Sequence, residues 1–204
     1  MRITRALLAT LVAAGTLLAG GSIAAAAARV APAARLVPAA AQVAATATPY
    51  CGITWGSADK SGGALATAPL IEVRAGQQDC YDRLVFEIDG PANGYRVRYG
   101  EAYTQGQGLA LSPYTAGGAV LEVTLLDPVA DPNTGTVRYP ASTGAHPLNL
   151  LGYQTLRDVV YGGSSEGYTT FAVGVRDRLP FRVTVLTGPG THSRIVLDVA
   201  HRWQ

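Results

Sequence analysis

The chain has 204 residues and a formal charge of +2, from 16 Lys+Arg against 14 Asp+Glu. Two of those basic groups, Arg2 and Arg5, fall in an N-terminal segment read below as removed, which leaves 14 of each sign. A neutral product has no long-range field to steer it towards nucleic acid or anionic lipid, so neither is an expected partner.

Met1 to about Ala28 combines the basic residues Arg2 and Arg5 with an apolar stretch, Ala6-Leu7-Leu8 to Leu17-Leu18-Ala19. It ends in the small residues Ala24 to Ala28, and together these features read as a secretory signal peptide. A membrane anchor is the competing reading, but Gly15, Gly20 and Gly21 interrupt a core too short to span comfortably. No Cys at its end offers a lipid attachment site. The expected product is therefore exported, without stable membrane insertion after cleavage. Residues 29–49 are Ala-rich with scattered Pro and read as a disordered tether. Tyr50 to Gln204 is then one domain's worth of chain.

Cys51 and Cys80 are the only cysteines, and an even count in an exported chain predicts a disulfide between them. On the chain-entropy view a loop of about thirty residues stabilises a fold by about 3 kcal/mol. Tyr50 to Pro69 is loop-like, and Leu70 to Arg74 predicts a short strand. Arg83-Leu84-Val85-Phe86-Glu87-Ile88 alternates cleanly, with Leu84, Phe86 and Ile88 on one face and Arg83, Val85 and Glu87 on the other. The segment recurs near the C-terminus as Arg194-Ile195-Val196-Leu197-Asp198-Val199, which predicts two neighbouring strands of one sheet. Asp89 to Gly94 is dense in turn residues, so Tyr95 to Tyr99 is expected to form a hairpin with the strand before it.

Gly100 to Gly118 is long and Gly-rich, Ala119 to Leu126 returns to strand character, and Asp127 to Pro147 reads as an excursion with four prolines. Gly152 to Tyr161 and Tyr168 to Val175 predict strands around Gly-Gly-Ser-Ser-Glu-Gly, although Leu156, Val159 and Val160 also suit one helical turn. Phe181 to Leu186 is a further strand, turned by Gly188-Pro189-Gly190 into the echo segment. Short strands with Gly/Pro punctuation and no long period-3.6 segment predict an all-β domain, most simply a single β-sandwich.

Gly163-Ser164-Ser165-Glu166-Gly167 matches G-x-S-x-G, which serves hydrolases when a strand turns sharply into a helix and presents Ser to a His. Asp177 or Asp198 and His192 or His201 would complete a relay through Ser165. Strand-like Tyr168-Thr169-Thr170-Phe171 follows instead, so a secreted serine hydrolase is only an alternative and no enzyme is expected. His146, His192 and His201 are scattered, which predicts no zinc site, and no cofactor motif is present. Asp127, Asp131 and Asn133 lack the alternate-residue spacing of a Ca²⁺ loop. Glu72, Glu87, Glu122 and Glu166 supply carboxylates for glycoside chemistry, but the sequence does not pair them.

Tyr95-Arg96-Val97-Arg98-Tyr99 is the more suggestive group. As a strand it puts Arg96 and Arg98 on one face and Tyr95, Val97 and Tyr99 on the other. Paired Arg side chains can clamp carboxylates of a peptide or acidic glycan with two hydrogen bonds each, as Lys cannot. Tyr95, Arg96, Arg98 and Tyr99 are therefore the candidate binding residues, while the Tyr face also suits a core.

Several blocks carry a family resemblance. Cys51-Gly52-Ile53-Thr54-Trp55-Gly56-Ser57, then Val73-Arg74-Ala75-Gly76 and Asp79-Cys80-Tyr81-Asp82-Arg83-Leu84-Val85-Phe86, resemble the start of the AMIN-like domain of exported actinobacterial proteins. Gly152 to Arg157, Gly162 to Thr170, Arg178 to Val183 and Ser193 to Trp203 agree in order. The resemblance implies kinship with AMIN domains, non-catalytic β-sandwich modules that accompany cell-wall amidases and some secretion proteins. It thus implies an extracellular, envelope-associated protein whose partner is peptidoglycan, another wall polymer or an envelope protein. No catalytic domain accompanies the module in this sequence, so peptidoglycan binding is an expectation by analogy. A protein-binding or inhibitor role through a loop such as Gly100 to Gly118 is a further alternative.

Overall fold

The computed structural model describes residues 48–203. The expected signal peptide and nearly all of the Ala/Pro tether lie outside the described residues. Two antiparallel sheets make up the domain. One holds β1 (Lys60–Gly62), β4 (Tyr95–Tyr99), β5 (Ala119–Leu125), β7 (Tyr168–Val175) and β6 (Leu156–Ser165), in that spatial order. The other runs β2 (Leu70–Gln77), β3 (Tyr81–Ile88), β9 (Ser193–Ala200), β8 (Phe181–Thr187). Among the described residues there is no α-helix, and the chain is an all-β sandwich as the punctuation predicts.

Alternation dictates the core face. Leu84, Phe86 and Ile88 on β3 are fully buried, as are Ile195, Leu197 and Val199 on β9. The two similar segments run antiparallel, so the Arg of each lies opposite the carboxylate of the other: Arg83 opposite Asp198, and Glu87 opposite Arg194. Only the first pairing forms as an ion pair. Arg83 donates from Nε to Asp198 Oδ1 at 2.7 Å and from Nη2 to Oδ2 at 2.9 Å, and Arg182 of β8 adds a bond to Oδ2 at 2.8 Å. Glu87 is instead held by Arg74 of β2 and by His192, whose Nδ1 lies 2.8 Å from Oε1.

Aromatic rings join the two sheets. Phe86 of β3 meets Phe171 of β7 at 5.1 Å, and Phe171 meets Tyr161 of β6 at 5.3 Å. Tyr139, from the Pro-rich excursion, packs edge-on against Tyr161 at 5.5 Å. Each such buried side chain contributes roughly 1.5–3 kcal/mol. At one end of the core, Asp82 of β3 bridges to the opposite sheet. Its Oδ2 accepts from Thr155 N at 2.5 Å, Thr155 Oγ1 at 2.7 Å and Leu156 N at 3.0 Å.

Two expectations change. Tyr95–Tyr99 does not form a hairpin with β3, because both edges of β3 are taken by β2 and β9. Asp89–Gly94 instead carries the chain across to the other sheet, where β4 pairs with β1 and β5. The helical alternative at Leu156, Val159 and Val160 is replaced by strand β6. Register irregularities between Leu156 and Asp158, and between Tyr161 and Ser164, take its burial out of strict period two. Cys51 and Cys80 form the expected disulfide, with Cα atoms 6.5 Å apart. Close by, Trp55 donates to Tyr50 O at 2.9 Å and packs on Tyr81 with ring centres 5.8 Å apart.

Candidate functional site

Strand β4 displays Arg96 and Arg98 to solvent and turns Val97 into the core, with Tyr95 and Tyr99 half-buried beside it. Arg98 lies opposite Glu122 of β5, and its Nη2 is 2.6 Å from Oε2. Arg96 lies opposite Thr124, and its guanidinium is 5.8 Å from the Tyr168 ring centre. Among the described residues no carboxylate stands within ion-pair distance of Arg96. The structure therefore puts both predicted arginines on one exposed face and the two tyrosines on the other side of the strand.

The segment after β4 folds back over this outer face. Ala102 and Leu111 are buried against Val160 of β6 and Ala172 of β7, a small second core. Gln105 Nε2 donates to Thr170 Oγ1 at 2.6 Å, and Gln105 N to Gly162 O at 2.8 Å. This flap covers part of the sheet and leaves Arg96 and Arg98 uncovered. Its own outer surface exposes Tyr103, Leu109 and Tyr114.

At the root of the flap lies an open cleft of about 500 Å³, lined by Tyr99, Glu101, Ser112, Thr115, Gly117, Gly118 and Arg178 among others. The backbone closes tightly on the end of β7 here. A Cβ at Gly117 would stand 2.6 Å from Val175 O, and one at Gly118 only 2.3 Å from Arg176 O, so neither position has room for a side chain. Tyr99 donates its phenol proton to Leu179 O at 2.6 Å and accepts from Leu179 N at 3.0 Å. Burial pushes its pKa up to about 12, so the phenol stays neutral. On the Tyr99 ring, 4.7 Å from its centre, rests the guanidinium of Arg178. Tyr99 thus serves as a platform for an arginine far along the chain.

The remaining candidates are not assembled. Ser165 ends β6 and pairs with Tyr168 across a two-residue turn, Glu166-Gly167, whose φ values of 52° and 82° suit a type I′ hairpin. A strand–turn–strand replaces the strand-to-helix elbow that G-x-S-x-G chemistry requires. The histidines named for a relay contact other groups: His192 contacts Glu87, and His201 Nε2 lies 3.2 Å from Asp82 Oδ1. His146 Nδ1 lies 2.8 Å from Asp158 Oδ1. Glu72 and Glu87 are register neighbours sharing Arg74 rather than facing each other over a cleft, and Glu122 is paired with Arg98. Asp131 accepts from Asn133 N at 2.8 Å in a local turn, while Asp127 is buried with neither carboxyl oxygen hydrogen-bonded. Among the described residues no group of three or more His, Cys, Asp and Glu is placed to hold a metal ion.

Two residues escape sequence reasoning. Arg178 joins the cleft only through tertiary packing on Tyr99, and no local pattern announces that. Asp82 carries a signal: it stands in phase with Leu84, Phe86 and Ile88, so the pleat sends its carboxylate inward. Burial alone would raise its pKa, but the hydrogen bonds from Thr155 and Leu156, with that of His201, outweigh it and hold the carboxyl below its ordinary value.

No curated protein and no solved structure matches the chain. A family model does: the AMIN-like domain model aligns with residues 68–201, most of the chain. That span takes in β2 through β9, the flap, the cleft and the β3/β9 pair. On this match the chain belongs to the AMIN-like domain family.

Proposed function

We propose that the protein is an exported, non-catalytic cell-envelope module that binds peptidoglycan or another wall component. In this reading residues 1–28 are removed on export, residues 29–49 form a tether, and residues 50–204 are the binding domain. The observation that carries it is the exposed Arg96–Arg98 pair on a sheet face that the flap covers only in part. Arg96 is free to fork onto a ligand carboxylate, and Arg98 shares its guanidinium with Glu122. Family membership supplies the envelope context, since AMIN-like domains are cell-wall-related modules. Among the described residues no helix is long and apolar enough to cross a membrane.

Pelleting with purified peptidoglycan at low salt tests the proposal. The folded protein is expected in the pellet, and its complete recovery in the supernatant would remove the main support. The serine-hydrolase alternative draws no support from the hairpin geometry of Ser165. It predicts labelling by a fluorophosphonate probe that is lost in Ser165→Ala, and no labelling is expected. The protein-binding alternative has the exposed Tyr103, Leu109 and Tyr114 of the flap to draw on. Cross-linking in culture separates it from the leading reading, which expects wall fragments rather than a protein partner.

A further inference from the structure

The cleft at the root of the flap holds one cation and one anion whose charges are uncommitted. Arg178 is exposed, and among the described residues no carboxylate stands within ion-pair distance of it. One weak bond from Nη2 to Ser57 O, at 3.3 Å, leaves most of its donors available. Yet the residue is not loosely held. Its backbone N–H donates to Asp177 Oδ1 at 2.7 Å, its carbonyl accepts from Trp203 Nε1 at 3.1 Å, and its guanidinium lies on Tyr99. Tyr99 is itself fixed by two hydrogen bonds to Leu179. An arginine ordered in advance loses less freedom on gripping a ligand than one free in solvent.

Glu101 also lines the cleft, exposed and likewise without an ion-pair partner among the described residues. A planar guanidinium fork is the group that matches a carboxylate or a phosphate. The carboxylate of Glu101 decides between them, because it repels a polyanion and attracts a cation on the same ligand. A volume of about 500 Å³ also falls within the range of small-ligand sites.

We infer that this cleft receives the free C-terminal end of a short peptide, with Arg178 gripping the α-carboxylate and Glu101 facing an ammonium group of the same ligand. The inference rests on the envelope reading for the source of the peptide, a wall component with an uncapped carboxylate. It assigns Arg178 and Glu101 a role separate from the wall contacts of Arg96 and Arg98.

The test is an NMR titration of the isotope-labelled full chain with the tripeptide Gly-Ala-Ala in three forms: free ends, C-terminal amide and N-acetylated. Pyrophosphate serves as the polyanion comparison. The free-ended peptide should shift the resonances of Gly117, Gly118 and the Arg178 side chain. It should bind at least about tenfold more tightly than the amide, the loss expected for one charge-assisted fork. Arg178→Gln should erase that preference, and Glu101→Gln should erase the preference for a free over an acetylated amine. Both side chains are exposed, so the variants should keep the wild-type spectrum elsewhere. Equal binding of acid and amide, absence of shifts around the cleft, or tighter binding of pyrophosphate would each overturn the inference. Wild-type protein that pellets with peptidoglycan but ignores the tripeptides would sink the inference and leave the envelope reading standing. Tripeptide binding without pelleting would do the reverse.

Discussion

Asp82 and Asp127 are both buried carboxyls, and their surroundings push them in opposite directions. Asp82 accepts hydrogen bonds from the facing sheet and is held ionised, so its stabilisation is present above about pH 4 and is lost as pH falls through its lowered folded value. Asp82→Ala removes the acceptor of four hydrogen bonds, from Thr155 N and Oγ1, Leu156 N and His201 Nε2, and should cost roughly 3 kcal/mol or more in urea unfolding at pH 7. A loss below about 1 kcal/mol would show that solvent replaces it at little cost. Asp127 has no partner, and burial raises its pKa to about 7. The native state therefore keeps a proton that the unfolded chain releases near pH 4, and stability from this group falls as pH rises from about 4 to about 7. Asp127→Asn cannot titrate. The expected result is a stability loss of a few kcal/mol between pH 5 and pH 8 in the wild-type chain, relative to that variant. Identical pH profiles for the two proteins would refute the assignment.

At the scale of elements, the strands with one apolar face were legible and their partners were not. The in-phase residues of β3 and β9 announce both strands and their shared sheet, because alternation and burial are the same fact. Strand β4 is equally plain in the sequence, but its placement depends on which edges of β3 are already occupied, a question no local pattern answers. The strand character of β6 is blurred by its bulges, and by the flap, which buries Val160 on what would otherwise be a solvent face. Gly100 to Gly118 looks like a free loop because only two of its apolar residues, Ala102 and Leu111, are buried, and they are widely spaced. Its attachment is testable at the root: Gly118→Ala places a methyl 2.3 Å from Arg176 O and should cost about 2 kcal/mol while changing the spectrum of the cleft. An unperturbed spectrum would mean that the flap is not pressed against β7 as described. The disulfide is the element-level staple, closing a loop of 29 in sequence separation. Replacing Cys51 and Cys80 by Ala should lower unfolding free energy by about 3 kcal/mol, and no change in urea midpoint would contradict it.

For the molecule as a whole, the two sheets divide the work. On the four-stranded sheet two carboxylates are each shared by two basic groups: Arg83 and Arg182 bind Asp198, and Arg74 and His192 bind Glu87. Among the described residues, Arg96 on the face of the five-stranded sheet and Arg178 in the segment after β7 have no carboxylate within ion-pair distance. Of the site, the sequence made the Arg96–Arg98 face readable because a strand sorts its side chains by parity. It could not show that Tyr99 supports Arg178, since that contact spans about half of the domain in sequence. The proposed wall-binding surface is the Arg96–Arg98 face. Its most direct test is the fraction pelleted with purified peptidoglycan at low salt, for wild type and for Arg96→Gln/Arg98→Gln at matched unfolding midpoints. Wild type should pellet, with apparent affinity roughly tenfold above that of the double variant. Equal pelleting of the two proteins, or none of either, would contradict it.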